Sequence, residues 1–307
     1  MATWQGAPDT PVVSICCITY NHELYIEDAL EGFLIQETDF PFEILIHDDA
    51  STDRTADIII EYSNRYPKIF KLILQKENQF SKNIRPTPIA IANARGKYIA
   101  FCEGDDYWNN SRKIQKQVNL LEQDLSASLC FHKVDKLIMK NNSISEFPEV
   151  EVAICRAEDI IRDNIIPTCS VLARKTTVQE TPEWFNKIIM NDWPRWIMAC
   201  QNGYALMINK KMGVYRVHRE GMWSVTSWED KVLGNLDFLY SIMEHGSNEL
   251  KKAAEIRKNE IIYSIAAGAS IKKRLSNHSV FGPLLRFWRI YINKSFPEFK
   301  KNHKYIS

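Results

Sequence analysis

The first hundred residues of this chain alternate short apolar runs with longer amphipathic stretches. The apolar runs are rich in β-branched and aromatic residues and cover 12–18, 42–47, 69–74 and 97–102. The stretches between them have helical spacing and cover 23–36, 56–66 and 86–94, and Ser51-Thr52-Asp53 is the N-cap signal of the second helix. Strands that alternate with helices form a parallel sheet with helices on both faces. We therefore expect an α/β fold with a mostly parallel central sheet flanked by helices.

The second half is less regular. We expect helices over 112–123 and 181–201, the latter broken at Pro194, strands over 128–134, 167–173 and 207–217, and a polar surface loop over 140–151. From 229 to 274 the pattern is helical and no longer alternates, which predicts a C-terminal helical extension.

Three carboxylates follow the fourth apolar run. Glu103, Asp105 and Asp106 come directly after it, at the end of a strand where open α/β sheets bind their ligands. Carboxylates that lie close together repel one another unless a cation sits between them, and Mg²⁺ and Mn²⁺ prefer such oxygen ligands. The pattern predicts a site for a metal and a diphosphate. An acidic turn that caps the helix beginning near Ser111 is the alternative.

Composition narrows the class of protein. The 307 residues carry a net charge of +1, which argues against a dedicated nucleic-acid binder. No secretory signal is visible at the N-terminus, and uncharged apolar runs are shorter than the ~20 residues that cross a bilayer. The seven cysteines include no Cys-x-x-Cys pair and fit small buried hydrophobes of a reducing compartment. We therefore expect a cytoplasmic protein.

The C-terminal tail differs from the rest of the chain. From residue 271 onward it has nine Lys and Arg residues against the single acid Glu298, and 284–292 mixes apolar, aromatic and basic residues. This composition is typical of a helix that lies on an anionic membrane surface. We expect peripheral association with the inner face of the cell membrane. The alternative is a terminal helix that packs on the domain with its arginines in water.

Four segments with distinctive motifs occur in a fixed order. They are 13–21, which ends in Thr-Tyr-Asn; 43–53, with Asp-Asp-x-Ser-x-Asp; 94–106, with Glu-Gly-Asp-Asp at its end; and 191–193, Asn-Asp-Trp, with Tyr-Arg-Val-His at 215–218. Together they resemble the inverting nucleotide-sugar glycosyltransferases of family 2, which have the GT-A fold. The resemblance covers about residues 10–225.

This resemblance implies a division of the chain. Residues 10–110 would form the nucleotide-sugar-binding half and 111–225 the acceptor-binding half of a GT-A domain. Residues 226–307 would form a helical extension with the basic amphipathic tail.

The resemblance also implies roles for residues at the nucleotide. Thr19, Tyr20 and Asn21 would line the nucleotide pocket. Asp49 would accept a hydrogen bond from the uracil imide, since a carboxylate accepts and uracil N3 donates. A phosphate contact from Lys82 or Arg85 is a further expectation, although the paired prolines at Pro86 and Pro88 depart from the family's pattern.

A divalent cation, Mn²⁺ or Mg²⁺, would bridge the donor diphosphate in such an enzyme. Asp106 is the expected direct ligand, and Asp105 would bind the ribose or share the metal. Glu103 stands where many relatives have Asp, which favours a helix cap or an indirect contact for it. His218 would reach the metal or the diphosphate, and Arg216 would neutralise charge on the leaving group.

Inverting transfer is a single displacement, and the acceptor hydroxyl must lose its proton as it attacks. Asp192 is the expected base, with Glu180 and Glu183 in reserve. An N-cap role for Asp192, just before Trp193-Pro194, is compatible with this role.

Three tryptophans, Trp108, Trp193 and Trp223, are candidates for stacking on a sugar ring, with burial in the core as the alternative.

The expected function is therefore transfer of a sugar from a nucleotide-diphosphate donor, UDP-linked, to a glycan or lipid-linked acceptor, in surface polysaccharide biosynthesis. Two other functions remain open from the residues. One is a nucleotidyltransferase, against which the glycine-free loop 20–23 counts. The other is a non-catalytic module that binds a glycan or a nucleotide on the same scaffold.

Overall fold

A computed structural model describes residue 4 and residues 9–149, 152–188 and 190–275. Contacts divide the chain into a unit of residues 1–255 and a unit of residues 256–307. The predicted amphipathic tail at 284–292 lies outside the described residues, as does most of the basic segment. No helix in the described part of the chain is long and apolar enough to cross a membrane.

Ten strands are present in the described chain. They are β1 Val13–Thr19, β2 Phe42–Asp48, β3 Phe70–Leu74, β4 Tyr98–Phe101, β5 Tyr107–Trp108, β6 Ala127–Ile138, β7 Ser143–Phe147, β8 Ile154–Cys155, β9 Leu172–Arg174 and β10 Tyr204–Val217.

Helices lie between these strands and after them. They are α1 Ile26–Leu34, α2 Thr55–Arg65, α3 Pro86–Asn93, α4 Lys113–Gln123, α5 Ala157–Arg162, α6 Lys175–Val178, α7 Asp192–Ala199, α8 Met222–Val225, α9 Trp228–His245 and α10 Asn248–Leu275. Short 3₁₀ turns occur at Phe80–Lys82, Thr168–Ser170 and Glu183–Lys187.

The strands form one sheet in the order β3-β2-β1-β4-β9-β6-β10-β5, with β7 paired to β6 and β8 to β10. The first four strands are parallel. The sheet then becomes mixed, because β9 runs antiparallel to both β4 and β6 while β6 and β10 pair in parallel. The α/β prediction is confirmed, but five of the nine pairings between described strands are antiparallel, so the sheet as a whole is mixed.

The parallel half is built on strands that are buried on both faces. Every residue of β2 and β4 is buried, and in β1 only Ile18 is partly exposed. Continuous apolar runs are what a sheet covered by helices on both faces requires. Helix α1 buries one face of Ile26, Leu30 and Phe33 against this core.

One polar network is buried inside this half. The Ser14 hydroxyl donates to Glu43 Oε1 at 2.6 Å and accepts from the Gly96 amide at 2.8 Å. Glu43 also accepts from the Arg95 amide at 2.8 Å and from Arg95 Nε at 2.8 Å. Three segments distant in sequence are thereby fixed to one another.

All seven cysteines are free and buried, as the sequence predicts. Burial raises the pKa of Cys16 and of Cys130 to about 12, so these thiols stay protonated at neutral pH.

Several predicted elements in the second half are wrong in detail. The segment predicted as a loop over 140–151 contains β7, because an edge strand needs a backbone partner in β6 but no buried face. The predicted strand over 167–173 begins as a 3₁₀ turn, and only its end joins β9. The predicted helix over 181–201 is a 3₁₀ turn followed by α7, and Pro194 lies in the first turn of α7, where it breaks no hydrogen bond. The N-cap of α2 is Arg54, without a side-chain bond.

Candidate active site

The carboxyl ends of β1, β2 and β4 meet at one edge of the sheet. The Asp49 amide donates to the Thr19 carbonyl at 3.0 Å, and the Gly104 amide donates to the Ile18 carbonyl at 3.0 Å. A Cβ on Gly104 would lie 2.6 Å from Thr19 Oγ1, so this close approach requires glycine. The acidic loop therefore lies directly on the Thr-Tyr-Asn loop.

The Thr-Tyr-Asn loop presents one side chain to solvent. Tyr20 is 42% exposed, whereas Thr19 is buried. Asn21 has a left-handed φ of 55°, and its side-chain oxygen accepts from the Thr52 amide at 2.7 Å. Its own amide donates to Ser51 Oγ at 2.9 Å. Asn21 thus joins the loops after β1 and β2.

Asp49 is buried below the segment that follows β3. Its Oδ1 accepts from the Gln79 amide at 2.8 Å, and its Oδ2 accepts from the Phe80 amide at 3.0 Å. A carboxylate oxygen has two lone pairs, so these bonds leave each oxygen able to accept one more.

Asp105 lies between two histidines. Its Oδ2 is 3.0 Å from His218 Nε2, at the end of β10, and 3.9 Å from His22 Nε2. Burial acts to raise the pKa of Asp105, but the hydrogen bond from His218 and the charges of both histidines outweigh it and hold the pKa below its ordinary value. Asp105 is therefore an anion that faces two imidazole nitrogens.

His22 is oriented by its other nitrogen. Its Nδ1 pairs with Thr19 Oγ1 at 3.1 Å, and burial lowers the pKa of His22 despite the nearby charge of Asp105. His218 is 6% exposed, and its Nδ1 is buried without a hydrogen-bond partner.

Asp106 has a different environment from its neighbour. It is 2% exposed, and its Oδ1 accepts from the Arg216 amide at 2.8 Å. Burial, together with the charges of Asp105 and Glu103, raises its pKa well above the ordinary value. Asp106 is thus more enclosed than Asp105 and is bonded to the β10 backbone, and its ligation of a metal stays a prediction.

Arg216 is fixed on several sides. Its guanidinium donates to the Asp105 carbonyl at 2.9 Å and forms an ion pair with Asp28 of α1. Its Cζ lies 4.4 Å from the ring centre of Tyr107 and 5.3 Å from that of Tyr25. These contacts fix Arg216 against the acidic loop, and its predicted contact with the leaving group stays a prediction.

Asp192 is the first residue of α7 and lines a cavity that also includes Glu103, Thr168 and Asn191. Its Oδ2 accepts from Thr168 Oγ1 at 3.2 Å, and its Oδ1 accepts from the Trp193 amide at 2.7 Å. The N-cap of α7 is Asn191. The carboxylate therefore has a fixed orientation at the edge of the cavity.

Glu103 shares this cavity and caps no helix. Burial raises its pKa to about 8, and the charges of Asp105 and Asp192 contribute in the same direction. The sequence predicts a helix cap or an indirect contact for Glu103 from its departure from the family's pattern, whereas its position in the cavity lining depends on tertiary packing.

The sequence analysis names no role for His22 or Tyr215, yet both lie beside the candidate residues. His22 faces Asp105, and its place directly after Thr-Tyr-Asn, at the end of β1, is a sequence signal that marks it. Burial and the charges of Asp106, Asp192 and Asp105 raise the pKa of Tyr215.

The secondary candidates lie elsewhere. Arg85 donates to the Met190 carbonyl at 3.0 Å and lies over the Phe185 ring, and Lys82 forms an ion pair with Glu77. The reserve bases at positions 180 and 183 are exposed and are not among the residues that line the cavity of Asp192.

The donor set at Asp105 fits a cation that is held jointly with a substrate. Within the described residues, no three His, Cys, Asp or Glu side chains form a group that could hold a metal ion. Asp105 and His218 offer one carboxylate and one imidazole, a pair that Mn²⁺ accepts. Metal ions at phosphate-transfer sites usually complete their shell with substrate phosphates and water.

Comparison with known proteins defines the class. The model of the glycosyl transferase family 2 matches residues 14–207, and the chain belongs to that family. It is a glycosyltransferase, as predicted.

Two relatives cover most of the chain. Uncharacterized protein Rv1520 of Mycobacterium tuberculosis is 36% identical over 248 residues, which are 77% of this chain and 70% of that protein. The putative teichuronic acid biosynthesis glycosyltransferase TuaG of Bacillus subtilis is 27% identical over 247 residues, 80% of this chain and 91% of that protein.

Solved structures confirm the GT-A fold. Staphylococcus aureus TarS 1–349 in complex with UDP matches with a TM-score of 0.59 and 20% identity, over 81% of this chain and 70% of that one. The mannosyltransferase PcManGT from Pyrobaculum calidifontis, in complex with GDP-Man and Mn²⁺, matches with a TM-score of 0.58 and 15% identity, over 96% and 84% of the two chains.

Proposed function

We propose that this enzyme transfers a sugar from a nucleotide-diphosphate donor, UDP-linked, to a hydroxyl of a glycan or lipid-linked acceptor in the assembly of a surface polysaccharide. TuaG is named for teichuronic acid biosynthesis, and TarS for transfer of N-acetylglucosamine to poly(ribitol phosphate). One observation carries the proposal: the oriented carboxylate of Asp192 opens into a cavity that Glu103, two residues before Asp105, also lines.

The donor nucleotide binds over the loops after β1 and β2. Tyr20 supplies an exposed ring, and Thr19 and Asn21 fix the loop that carries it. Asp49 accepts a hydrogen bond from the uracil imide with one of its remaining lone pairs. Support for UDP comes from the carboxylate acceptor and from the TarS complexes with UDP and UDP-GlcNAc.

Asp105 and His218 would hold a Mn²⁺ or Mg²⁺ ion together with the donor. The cation would supply positive charge to the departing diphosphate. His218 would bind it through Nε2, the nitrogen that faces Asp105. Arg216 holds the acidic loop in place, because its amide donates to Asp106 Oδ1 and its guanidinium donates to the Asp105 carbonyl.

Asp192 takes the proton of the acceptor hydroxyl as that hydroxyl attacks the anomeric carbon. The bonds from Thr168 and the Trp193 amide hold the carboxylate in one orientation. A single displacement with one base inverts the configuration at that carbon.

The test combines a donor panel with product analysis. Thermal unfolding is followed with UDP-, GDP- and dTDP-linked sugars, each with and without Mn²⁺, because a ligand that binds the folded state raises its midpoint. We expect the largest shift with a UDP-sugar and Mn²⁺. Proton NMR of the product then shows an anomeric configuration opposite to that of the donor.

Retention of configuration, or stabilisation by GDP- or dTDP-sugars alone, contradicts the proposal. Asp57→Asn, which removes an exposed carboxylate from α2, controls for the loss of a surface charge, and we expect it to show the same shifts as the wild type.

We further propose that the enzyme works at the inner face of the membrane through its basic tail. Deletion of the residues after Gly282 then moves the protein from the membrane fraction to the supernatant, while hydrolysis of the donor is unchanged. Unchanged fractionation contradicts this part of the proposal alone.

A further inference from the structure

Large apolar side chains lie exposed just beyond the site. Met222 is 59%, Trp223 46%, Val225 67% and Trp228 51% exposed, all within seven residues of α8 and the start of α9. We call these four residues the 222–228 face. Exposed apolar patches mark sites that bind a ligand, another protein or a membrane.

Trp223 differs from the other two tryptophans that the sequence marks as sugar platforms. Trp108 and Trp193 are buried, and their ring nitrogens donate to the carbonyls of Cys169 and Ile160. The Trp223 ring remains at the surface, with the Lys231 ammonium 5.5 Å from its centre.

The 222–228 face begins where the cation end of the site finishes. Glu220 lines a cavity together with Tyr20, His22 and His218. A Cβ on Gly221 would lie 3.4 Å from His218 Nε2, so the backbone that leads into α8 touches the site directly. The 222–228 face therefore adjoins the cavity beside His218.

The charges around the face select its occupant. Arg219 and Lys231 contribute two positive charges, and Glu220, Glu229 and Asp230 contribute three negative charges. Because an anionic membrane surface attracts basic segments, the excess of negative charge here does not favour a membrane as the occupant of this face. Sugars present apolar C–H faces and hydroxyl edges, which match indole rings and carboxylate acceptors.

We propose that the 222–228 face binds the acceptor glycan, with one sugar ring stacked on Trp223 and its hydroxyls bonded to Glu220. The proposal rests on the proposed function, because it names where the acceptor of that reaction lies. The face then holds the non-reacting part of a glycan whose terminal hydroxyl extends toward Asp192.

The experiment uses the full chain with UDP and Mn²⁺ on an array of di- to hexasaccharides and bacterial polysaccharide fragments. We expect Trp223→Ala to weaken glycan binding about 10-fold or more, the size of effect that loss of a stacked ring produces. Trp223→Phe retains most of the binding, since it keeps a ring. Tyr263→Ala, which removes an exposed ring from α10, leaves binding unchanged.

The inference is overturned if Trp223→Ala binds glycans like the wild type, or if the wild type binds no glycan on the array. It is also overturned if Trp223→Ala keeps glycan binding but loses binding to phosphatidylglycerol vesicles, or loses self-association measured by sedimentation velocity. Hydrolysis of the UDP-sugar separates the failures. If the wild type does not hydrolyse any donor, the proposed function fails; if it does and Trp223→Ala binds glycans normally, only this inference fails.

Discussion

The two halves of the sheet build the site in different ways. In the parallel half, β3-β2-β1-β4, the candidate site residues lie in short motifs directly after the strands. In the mixed half, β9-β6-β10-β5, and the segments beside it, the candidates come from positions far apart in the chain, such as Asp192 and His218.

The two halves also hold their candidate residues differently. The parallel half fixes its loops by backbone amides and buried polar bonds, as at Asp49 and Ser14. Asp192 and His218, the proposed base and cation ligand, come from later segments, and Asp105 after β4 faces His218 across the two halves. A change at Asp105 should therefore affect both donor binding and transfer.

The largest expected effect is in the mixed half. Asp192→Asn removes the carboxylate that we propose as the base but keeps an oxygen that accepts from the Trp193 amide. We expect kcat to fall about 10³-fold, while the Kd for UDP with Mn²⁺, measured by calorimetry, is unchanged. Asp57→Asn is the control. A kcat within a few-fold of the wild type would contradict the base assignment.

The next effect distinguishes two neighbouring acids. Asp105→Asn removes a charge that faces His218, and we expect transfer to fall about 100-fold or more, as several kcal/mol of charge stabilisation are lost. The Mn²⁺ dependence of UDP binding disappears with it, which calorimetry with and without Mn²⁺ measures.

Asp106→Asn is the matched control for that variant. Burial raises the pKa of Asp106, and an amide oxygen in its place still accepts from the Arg216 amide, so Asn is a close substitute. We expect most of the activity to remain. Equal losses in the two variants would favour direct ligation by Asp106.

A smaller effect tests the parallel half. Ser14→Ala removes the hydroxyl that joins Glu43 to the Gly96 amide, and leaves both partners buried. We expect the free energy of unfolding to fall by about 1–3 kcal/mol, measured by urea denaturation. Ser143→Ala, on the exposed strand β7, changes it little. An unchanged midpoint for Ser14→Ala would show that the network does not stabilise the fold.

The smallest effect concerns pH. The pKa of Glu103 is raised to about 8 in the folded protein, so the folded state binds this proton more tightly than the unfolded state does. Stability from this group is present below its unfolded pKa and is lost as pH rises toward 8. We expect Glu103→Gln to unfold at a higher temperature than the wild type at pH 8.5, without divalent cation, and to differ little at pH 5. The same difference at both pH values would contradict the shift.

The sequence predicted the parallel half well, because its strands and helices are each decided by local periodicity. Phe42–Asp48 and Phe70–Leu74 lie within two residues of their predicted bounds. The strand Leu172–Arg174 could not be predicted in the same way, because its pairing with β4 and β6 is set by distant partners.

Prediction of the site followed the same division. The motifs mark Asp105, Asp106 and Asp192, but the different surroundings of Asp105 and Asp106 depend on the amide of Arg216, 110 residues from Asp106 in the chain. The orientation of Glu103 into the cavity of Asp192 is equally a property of tertiary packing.

The buried cysteines can report which part of this protein unfolds first. Cys16 and Cys17 lie in the parallel half and Cys130 and Cys155 in the mixed half, and none of the four meets solvent while the sheet is closed. A thiol reagent labels each sulfur only when its surroundings unfold. Mass spectrometry of the labelled peptides then gives the rate of labelling at each cysteine. The order of labelling would reveal which half of the sheet opens first, and whether UDP slows one half alone.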